Sequence, residues 1–454
     1  MKGRQPLPDA LPLLPEAPRG GSWLVATSQV GWQESPALTE AHITYPEPGS
    51  SEPVYSLPLE GWVVPSRTPP REILVHCGSR LVARLPVAIE RPDIAALHPE
   101  VPWSAHAGFA VRLNALELPR RFRLVLSLVL EDGQRVPFGE ISGERRPLPV
   151  QERAAHQPLI VTTLGRSGST WLTSLLGLHP EIADYRSFEY ESKVTAYFAE
   201  ALRALTRPSS YNQAMRGEIA EGDWWLGRDP SEALAWYSSQ DSIDEWLGTE
   251  YVADLIEFFA GRIDALFGRI AQSIGKEDAT FVIEKMPPAW FAQELLWELF
   301  PGTREIFLVR DFRDVACSMF AFGDKRSRRW YPHSGALTQE ECIRHPLRKE
   351  AEGLLESWHA RADQAFLIRY EDLVLRPAQA LQGLFGYLGI DSGPQTVAGV
   401  IDSGAGLDGE LQDFHRTSPS ARDSVGRWRR DLDPDLIRVC DQELHDVLEA
   451  FGYT

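Results

Sequence analysis

The sequence predicts an α/β protein, a parallel sheet flanked by helices, preceded by an all-β sandwich-like domain. Apolar runs at 159–164, 280–284, 305–309 and 366–370 alternate with helix-spaced segments, the pattern of a parallel sheet. Residues 22–148 give short β-like runs instead: Trp62–Val64, Glu72–His76, Leu81–Ile89, Phe109–Leu113 and Phe122–Leu130. Pro, Gly and Asp turns separate them and helical periodicity is weak, as in a sandwich. Prolines at 6, 8, 12, 15 and 18 mark residues 1–21 as a disordered or extended arm. The expected organisation is an arm at 1–21, a β domain at 22–148, a linker at 149–157 and an α/β domain at 158–454.

Composition supports this division. A chain of 454 residues is long for one domain, and 43% hydrophobic content is enough for full cores. A net charge of −18 has the wrong sign for nonspecific binding to nucleic acid or an anionic membrane. Cysteines 77, 317, 342 and 440 are isolated, so neither a disulfide framework nor a Cys/His metal cluster is expected. No apolar run reaches transmembrane length and no signal-peptide core opens the chain, so a cytoplasmic location is expected.

The most informative stretch is Gln157 to Leu172. Leu159–Leu164 reads as a buried strand, Gly165-Arg166-Ser167-Gly168-Ser169-Thr170 as a tight turn, and Trp171–Leu178 as a helix. Strand, small-residue turn and helix present backbone N–H groups and a positive dipole end to an anion. Arg166 adds a permanent cation and the hydroxyls add donors, giving a phosphate-type or sulfate-type cradle. The glycines are three apart and no lysine follows, which departs from a nucleotide-hydrolase P-loop. A second strand, Glu305–Val309, ends in Arg310; apolar residues at 312, 315, 316, 319 and 320 then mark a helix bearing Ser318.

These two segments resemble sulfotransferases that use 3′-phosphoadenosine 5′-phosphosulfate (PAPS). Arg-Ser-Gly-Ser-Thr is similar to the 5′-phosphosulfate loop of carbohydrate and tyrosylprotein sulfotransferases; aryl relatives usually carry lysine first. The resemblance implies that Arg166, Ser167, Gly168, Ser169, Thr170 and Trp171 hold the donor's 5′ end. It implies that Arg310 and Ser318, eight positions apart, hold the 3′-phosphate. In Tyr370-Glu371-Asp372-Leu373 it places Tyr370 near the adenine. Within Ser418–Arg430, before Gly426-Arg427-Trp428, it makes Arg422 a contact to the 3′-phosphate with Arg427 behind it. Each has an ordinary reading too: Arg310 paired with Asp314, Ser318 as polar helix filler, Tyr370 as a half-buried strand end, and the arginines between 422 and 430 as a solvated face.

Sulfuryl transfer resembles phosphoryl transfer, so the protein mainly positions groups and stabilises charge, and the scheme requires no metal. Aryl sulfotransferases use a histidine two residues after a lysine; in Phe281-Val282-Ile283-Glu284-Lys285-Met286-Pro287 that position is Pro287. Lys285 resembles the family's second catalytic cation, or is a strand-end lysine. Carbohydrate and tyrosylprotein relatives place a glutamate base after a His-Pro-Glu-like turn, here His179-Pro180-Glu181. The resemblance makes Glu189 the base, with Glu191 as its near rival; Glu189 also suits a cap for a helix over 191–205. His179 reads as structural. The catalytic set is Glu189, Arg166 and Lys285.

The implied activity is sulfuryl transfer from PAPS, leaving PAP, to a hydroxyl of a glycan or glycosylated metabolite. Glu60-Gly61-Trp62, Glu90-Arg91-Pro92-Asp93 and Ala107-Gly108-Phe109 are similar to β domains of bacterial glycan-modifying transferases. Rival readings are sulfation of a phenol or other small natural product, a nucleotide-dependent kinase, and a non-catalytic glycan-binding protein. Aromatics between the first two parallel strands (Trp224, Trp225, Trp236, Tyr237, Trp246) are candidates for acceptor stacking or for core.

Overall fold

The computed structural model describes residues 24–78, 80–148, 154–186, 191–206, 246, 249–288, 291–325, 338–404 and 416–454. The arm at 1–21, Glu189, Trp224, Trp225, Trp236 and Tyr237 lie outside the described residues. The chain forms two compact units, one of residues 1–149 and 200–258, the other of residues 150–199 and 259–454.

Among the described residues the first unit has nine strands: β1 (Val25–Trp32), β2 (Leu38–Tyr45), β3 (Ser51–Glu52), β4 (Ser56–Pro65), β5 (Pro70–Cys77), β6 (Arg80–Pro86), β7 (Gly108–Asn114), β8 (Arg121–Leu130) and β9 (Arg135–Arg145). They form an antiparallel sheet in the order β3-β1-β9-β8-β5-β6 and a three-stranded one in the order β2-β4-β7. The β8 pattern shows why: Phe122, Leu124, Leu126 and Leu128 are buried at alternate positions, so one face of the strand enters the core. Phe109 of β7 and Phe138 of β9 meet edge to face, 6.0 Å between centroids, which joins the inner faces of the two sheets. The predicted β runs fall within β4 to β8, except that Leu81–Ile89 outlasts its strand, which stops at Pro86.

Among its described residues the second unit carries five parallel strands: β10 (Gln157–Thr163), β11 (Ile182–Ala183), β12 (Phe281–Met286), β13 (Arg304–Val309) and β14 (Phe366–Arg369). Their order is β11-β12-β10-β13-β14. Burial on both faces explains their continuous apolar runs. Leu159, Val161, Ile283, Ile306 and Leu308 pack on one face with Leu172, Leu176 and the helix Pro377–Leu388. On the other face Phe307 and Val309 pack with helices Phe312–Lys325 and Arg348–Arg361. Glu305, fully buried, is held by Arg361 (Nε 2.7 Å, Nη2 3.2 Å) and by the Trp297 indole at 2.8 Å, so its charge is paired.

Local boundaries differ in three places. The helix expected from Glu191 begins at Val194, because Lys193 adopts a left-handed φ of 58°. Tyr370 opens a short helix, Tyr370–Leu375, instead of closing a strand. Pro434 to Phe451 reads in sequence as one helix, but the structure has two, Pro434–Glu443 and His445–Ala450. All four cysteines are free, and burial pushes the thiols of Cys317, Cys342 and Cys440 up to about 12, which keeps them unreactive.

Candidate active site at the carboxyl ends of the parallel strands

From β10 the chain goes out to β11 at one edge, returns to β12 beside β10 and then crosses to β13 on the other side of β10, so the strand order reverses between β10 and β13. In open α/β sheets that reversal leaves a crevice at the carboxyl ends of the strands. Thr163, Met286, Val309 and Arg369 end β10, β12, β13 and β14, so the residues around them gather at one edge of the sheet.

The turn after β10 carries two left-handed residues, Arg166 (φ 69°) and Gly168 (φ 90°). Such turns direct successive N–H groups to one side and make anion-binding concavities. Gly168 precedes the helix Ser169–Leu176, whose first N–H groups have no intrahelical acceptor. A Cβ on Gly168 would lie 2.6 Å from the Tyr370 ring, so both the φ and the contact demand glycine there. Trp171 meets the same ring edge-on at 5.9 Å. Ser167 is buried, while Ser169 and Thr170 are half-buried at the helix start.

Arg310 is 5% exposed and joins three segments. Its Nη1 donates to the Arg166 carbonyl at 3.2 Å and its Nη2 to the Ser424 carbonyl at 2.6 Å. Its guanidinium lies 4.6 Å over the Tyr370 ring. Its buried Nε has no hydrogen-bond partner among the described residues. Ser318, 3% exposed on Phe312–Lys325, accepts from Arg166 Nε at 3.2 Å and lies 3.2 Å from Thr417 Oγ1. Arg166 also lies over Phe322, 4.2 Å from the centroid. The first two motifs therefore meet through side chain and backbone.

Tyr370 is buried, with its hydroxyl 3.0 Å from Ser424 Oγ. Arg422 belongs to the turn Arg422–Ser424 but its side chain is exposed; Ser424, two residues on, reaches the cluster. Arg427 is buried and donates through Nη1 to Thr417 O (3.0 Å) and Oγ1 (3.1 Å), and through Nε to Asp431 at 2.7 Å. Asp314, expected as an ion-pair partner of Arg310 in one reading, instead accepts from Gly426 N (2.7 Å) and Trp428 N (2.9 Å). Burial raises its carboxyl above the usual range, opposed by these N–H groups and by Arg310.

At the end of β12, Lys285 Nζ lies 2.6 Å from Glu191 Oε1, and Lys193 approaches Glu191 Oε2 at 3.3 Å. Glu284 is buried behind them and accepts from Ser192 and Thr195. His179 is structural: it is fully buried, with Nδ1 accepting from Glu181 N and Nε2 bonding the Asp391 carbonyl at 3.0 Å. Sequence reasoning missed Ser424, Thr417 and Glu284. Glu284 alone carried a signal, a carboxylate inside an apolar strand run.

No helix among the described residues is long and apolar enough to cross a membrane. Comparison with known proteins gives human carbohydrate sulfotransferase 5, 29% identical over 165 residues, 33% of this chain and 40% of that protein. It also gives mouse carbohydrate sulfotransferase 3, 28% identical over 173 residues, 36% of each. The chain thus spans well under half the length of these curated relatives. Among solved structures, a sulfotransferase domain from the curacin biosynthetic pathway aligns with a TM-score of 0.39 and 15% identity, covering 68% of this chain and 99% of that one. The model of the sulfotransferase family matches residues 158–394, just over half of the chain and all five parallel strands, and the chain belongs to that family.

Proposed function

We propose that the chain transfers a sulfuryl group from PAPS to an acceptor hydroxyl, on a glycan or glycosylated metabolite. The observation that supports it best is the meeting of the two motifs: the Arg166 guanidinium on Ser318, and Arg310 on the Arg166 carbonyl. A buried guanidinium with an unpartnered N–H beside a buried hydroxyl suits a doubly charged phosphate, because a buried donor left unmade is costly. The left-handed turn before Ser169–Leu176 suits a second anionic group. The residues present therefore fit a nucleotide with phosphates at both ends.

PAPS, when bound, supplies the sulfuryl group and is left as PAP. Arg310 and Ser318 would hold the 3′-phosphate, with Arg422 and Tyr370 as further contacts by family resemblance. Ser167 to Trp171 would hold the 5′ end, and Arg166 and Lys285 would offset charge on the leaving phosphate oxygen. A glutamate on the stretch 189–191 takes the proton from the acceptor hydroxyl. Glu189 has that role by resemblance; the 2.6 Å contact to Lys285 supports Glu191. The glycan acceptor is supported by the carbohydrate sulfotransferases matched over a third of the chain.

The deciding experiment supplies labelled PAPS without metal, or ATP with magnesium, to the full chain and a cell extract, with products read by mass. Sulfated glycans from PAPS are expected. Transfer from ATP alone would make the protein a kinase, sulfated phenols would change the acceptor class, and glycan binding without transfer would leave a binding module.

A further inference from the structure

Glu284 and Lys285 are neighbours at the end of β12 and so face opposite sides of the sheet. Each is held by the same short stretch of chain. Glu284 is 3% exposed, and its Oε1 accepts from Ser192 Oγ at 3.1 Å and Thr195 Oγ1 at 2.8 Å. Lys285 Nζ lies 2.6 Å from Glu191 Oε1. Residues 191–195 therefore straddle the strand end, gripping a carboxyl on one face and an ammonium on the other.

A buried carboxyl is costly unless it is hydrogen-bonded, so Glu284 at this position ties the 191–195 stretch to the strand. Ser192 Oγ also accepts from Val194 N at 3.3 Å, which links the same hydroxyl to the start of the helix Val194–Leu205. Without the Glu284 anchor, Glu191 would depend on its carboxylate's ion pairs with Lys285 and Lys193 to hold the stretch in place.

We propose that Glu284 is a positioning residue: by anchoring Ser192 and Thr195 it sets the geometry of the Glu191–Lys285 pair. Its effect on rate rests on the sulfuryl-transfer reading; its effect on the pair does not. Burial pushes the Glu284 carboxyl up to about 7, opposed by the Thr195 and Ser192 hydroxyls and reinforced by Glu191, which fits a group held for its hydrogen bonds.

The test compares wild type with Glu284→Ala, Glu284→Gln, Glu191→Gln and the double variant Ser192→Ala/Thr195→Val in the full chain. Acetylation of Lys285 by acetic anhydride, read by mass, reports the pair without any turnover. Calorimetry with PAP reports donor binding, and labelled sulfate transfer from PAPS into a cell-extract acceptor pool reports rate. Glu284→Ala is expected to raise Lys285 labelling to the level of Glu191→Gln. It should slow transfer about 10-fold or more, the scale of a misplaced catalytic group, with little change in PAP affinity. Glu284→Gln keeps a carbonyl oxygen for the two hydroxyls and should recover over half of both effects. If Glu284→Ala does not fold, the double variant removes the same hydrogen bonds and should reproduce its labelling. Unchanged Lys285 labelling in the folded variants would overturn the proposal, as would losses of PAP affinity and transfer in equal measure. Raised labelling in an enzyme whose wild type transfers no sulfate would uphold the positioning role and sink the proposed function instead.

Discussion

Arg310 Nη1 donates to the backbone carbonyl of Arg166 across 3.2 Å, so the cation that follows β13 holds the turn that follows β10. The same guanidinium reaches Ser424 and lies over Tyr370. Four segments separated widely in sequence are thereby held at one point. A residue so placed has a double cost of removal, one in ligand binding and one in the loops it ties.

Arg310→Ala should weaken PAP binding by about 1.5–3 kcal/mol, the range for a charge-assisted hydrogen bond. Adenosine 5′-phosphosulfate, which lacks the 3′-phosphate, should be affected far less. Calorimetry with both ligands checks this; equal losses would show that Arg310 acts only by holding the loops.

Arg166 combines a charge with a left-handed backbone, and two substitutions separate them. Arg166→Ala and Arg166→Gly both remove the guanidinium and should slow single turnover with saturating PAPS equally, with a smaller rise in the PAPS dissociation constant. At φ 69° alanine is strained and glycine is not, so the glycine variant should be more stable by about 1 kcal/mol. Denaturant titration alongside single-turnover rates tests both halves. Two variants of equal stability would mean the turn relaxes when the arginine is lost.

The two candidate bases are separable by rate. Whichever of Glu189→Gln and Glu191→Gln removes the proton acceptor should lower turnover about 100-fold or more while PAP affinity barely changes. Glu191→Gln should also remove the ion pair at Lys285 Nζ. Turnover within a few-fold of wild type in both would remove glutamate from the mechanism.

Glu284 makes stability depend on pH. Its carboxyl is raised from 4.5 to about 7 in the folded protein, which therefore binds the proton more tightly than the unfolded chain does. Its contribution is present below about pH 4.5, is lost as pH rises towards 7, and is flat above. The melting temperature of Glu284→Gln relative to wild type should climb across that window and then level off. A constant difference from pH 4.5 to 8 would mean that Glu284 keeps the same protonation folded and unfolded.

The strand-turn-helix at 157–176 was legible because its signals are local: apolar run, small-residue turn, helical spacing. Arg310 and Ser318 stood out because their eight-residue spacing, from a strand end into the following helix, matches that of the sulfotransferases they resemble. What the sequence hides is long-range. Ser424 and Thr417 look like ordinary loop residues until folding sets them on Arg310 and Ser318. Asp314 looked like a partner for Arg310, yet two backbone N–H groups more than 110 residues away claim it. Arg422, a phosphate contact by resemblance, has an exposed side chain, and Ser424 two residues on is the one that reaches Arg310.

The buried Arg427 heads a chain of hydroxyls that ends at Ser318. Its Nη1 donates to Thr417 Oγ1, which occupies one of that oxygen's two lone pairs and leaves the other lone pair and the threonine's proton for Ser318, 3.2 Å away. Ser318 Oγ accepts from Arg166 Nε, and either hydroxyl can donate across its contact with Thr417. When Thr417 donates, the serine's own proton is left for a further acceptor, which under the proposed function would be the incoming phosphate. Arg427 in this way acts on Ser318 through a second hydroxyl, without bonding to it.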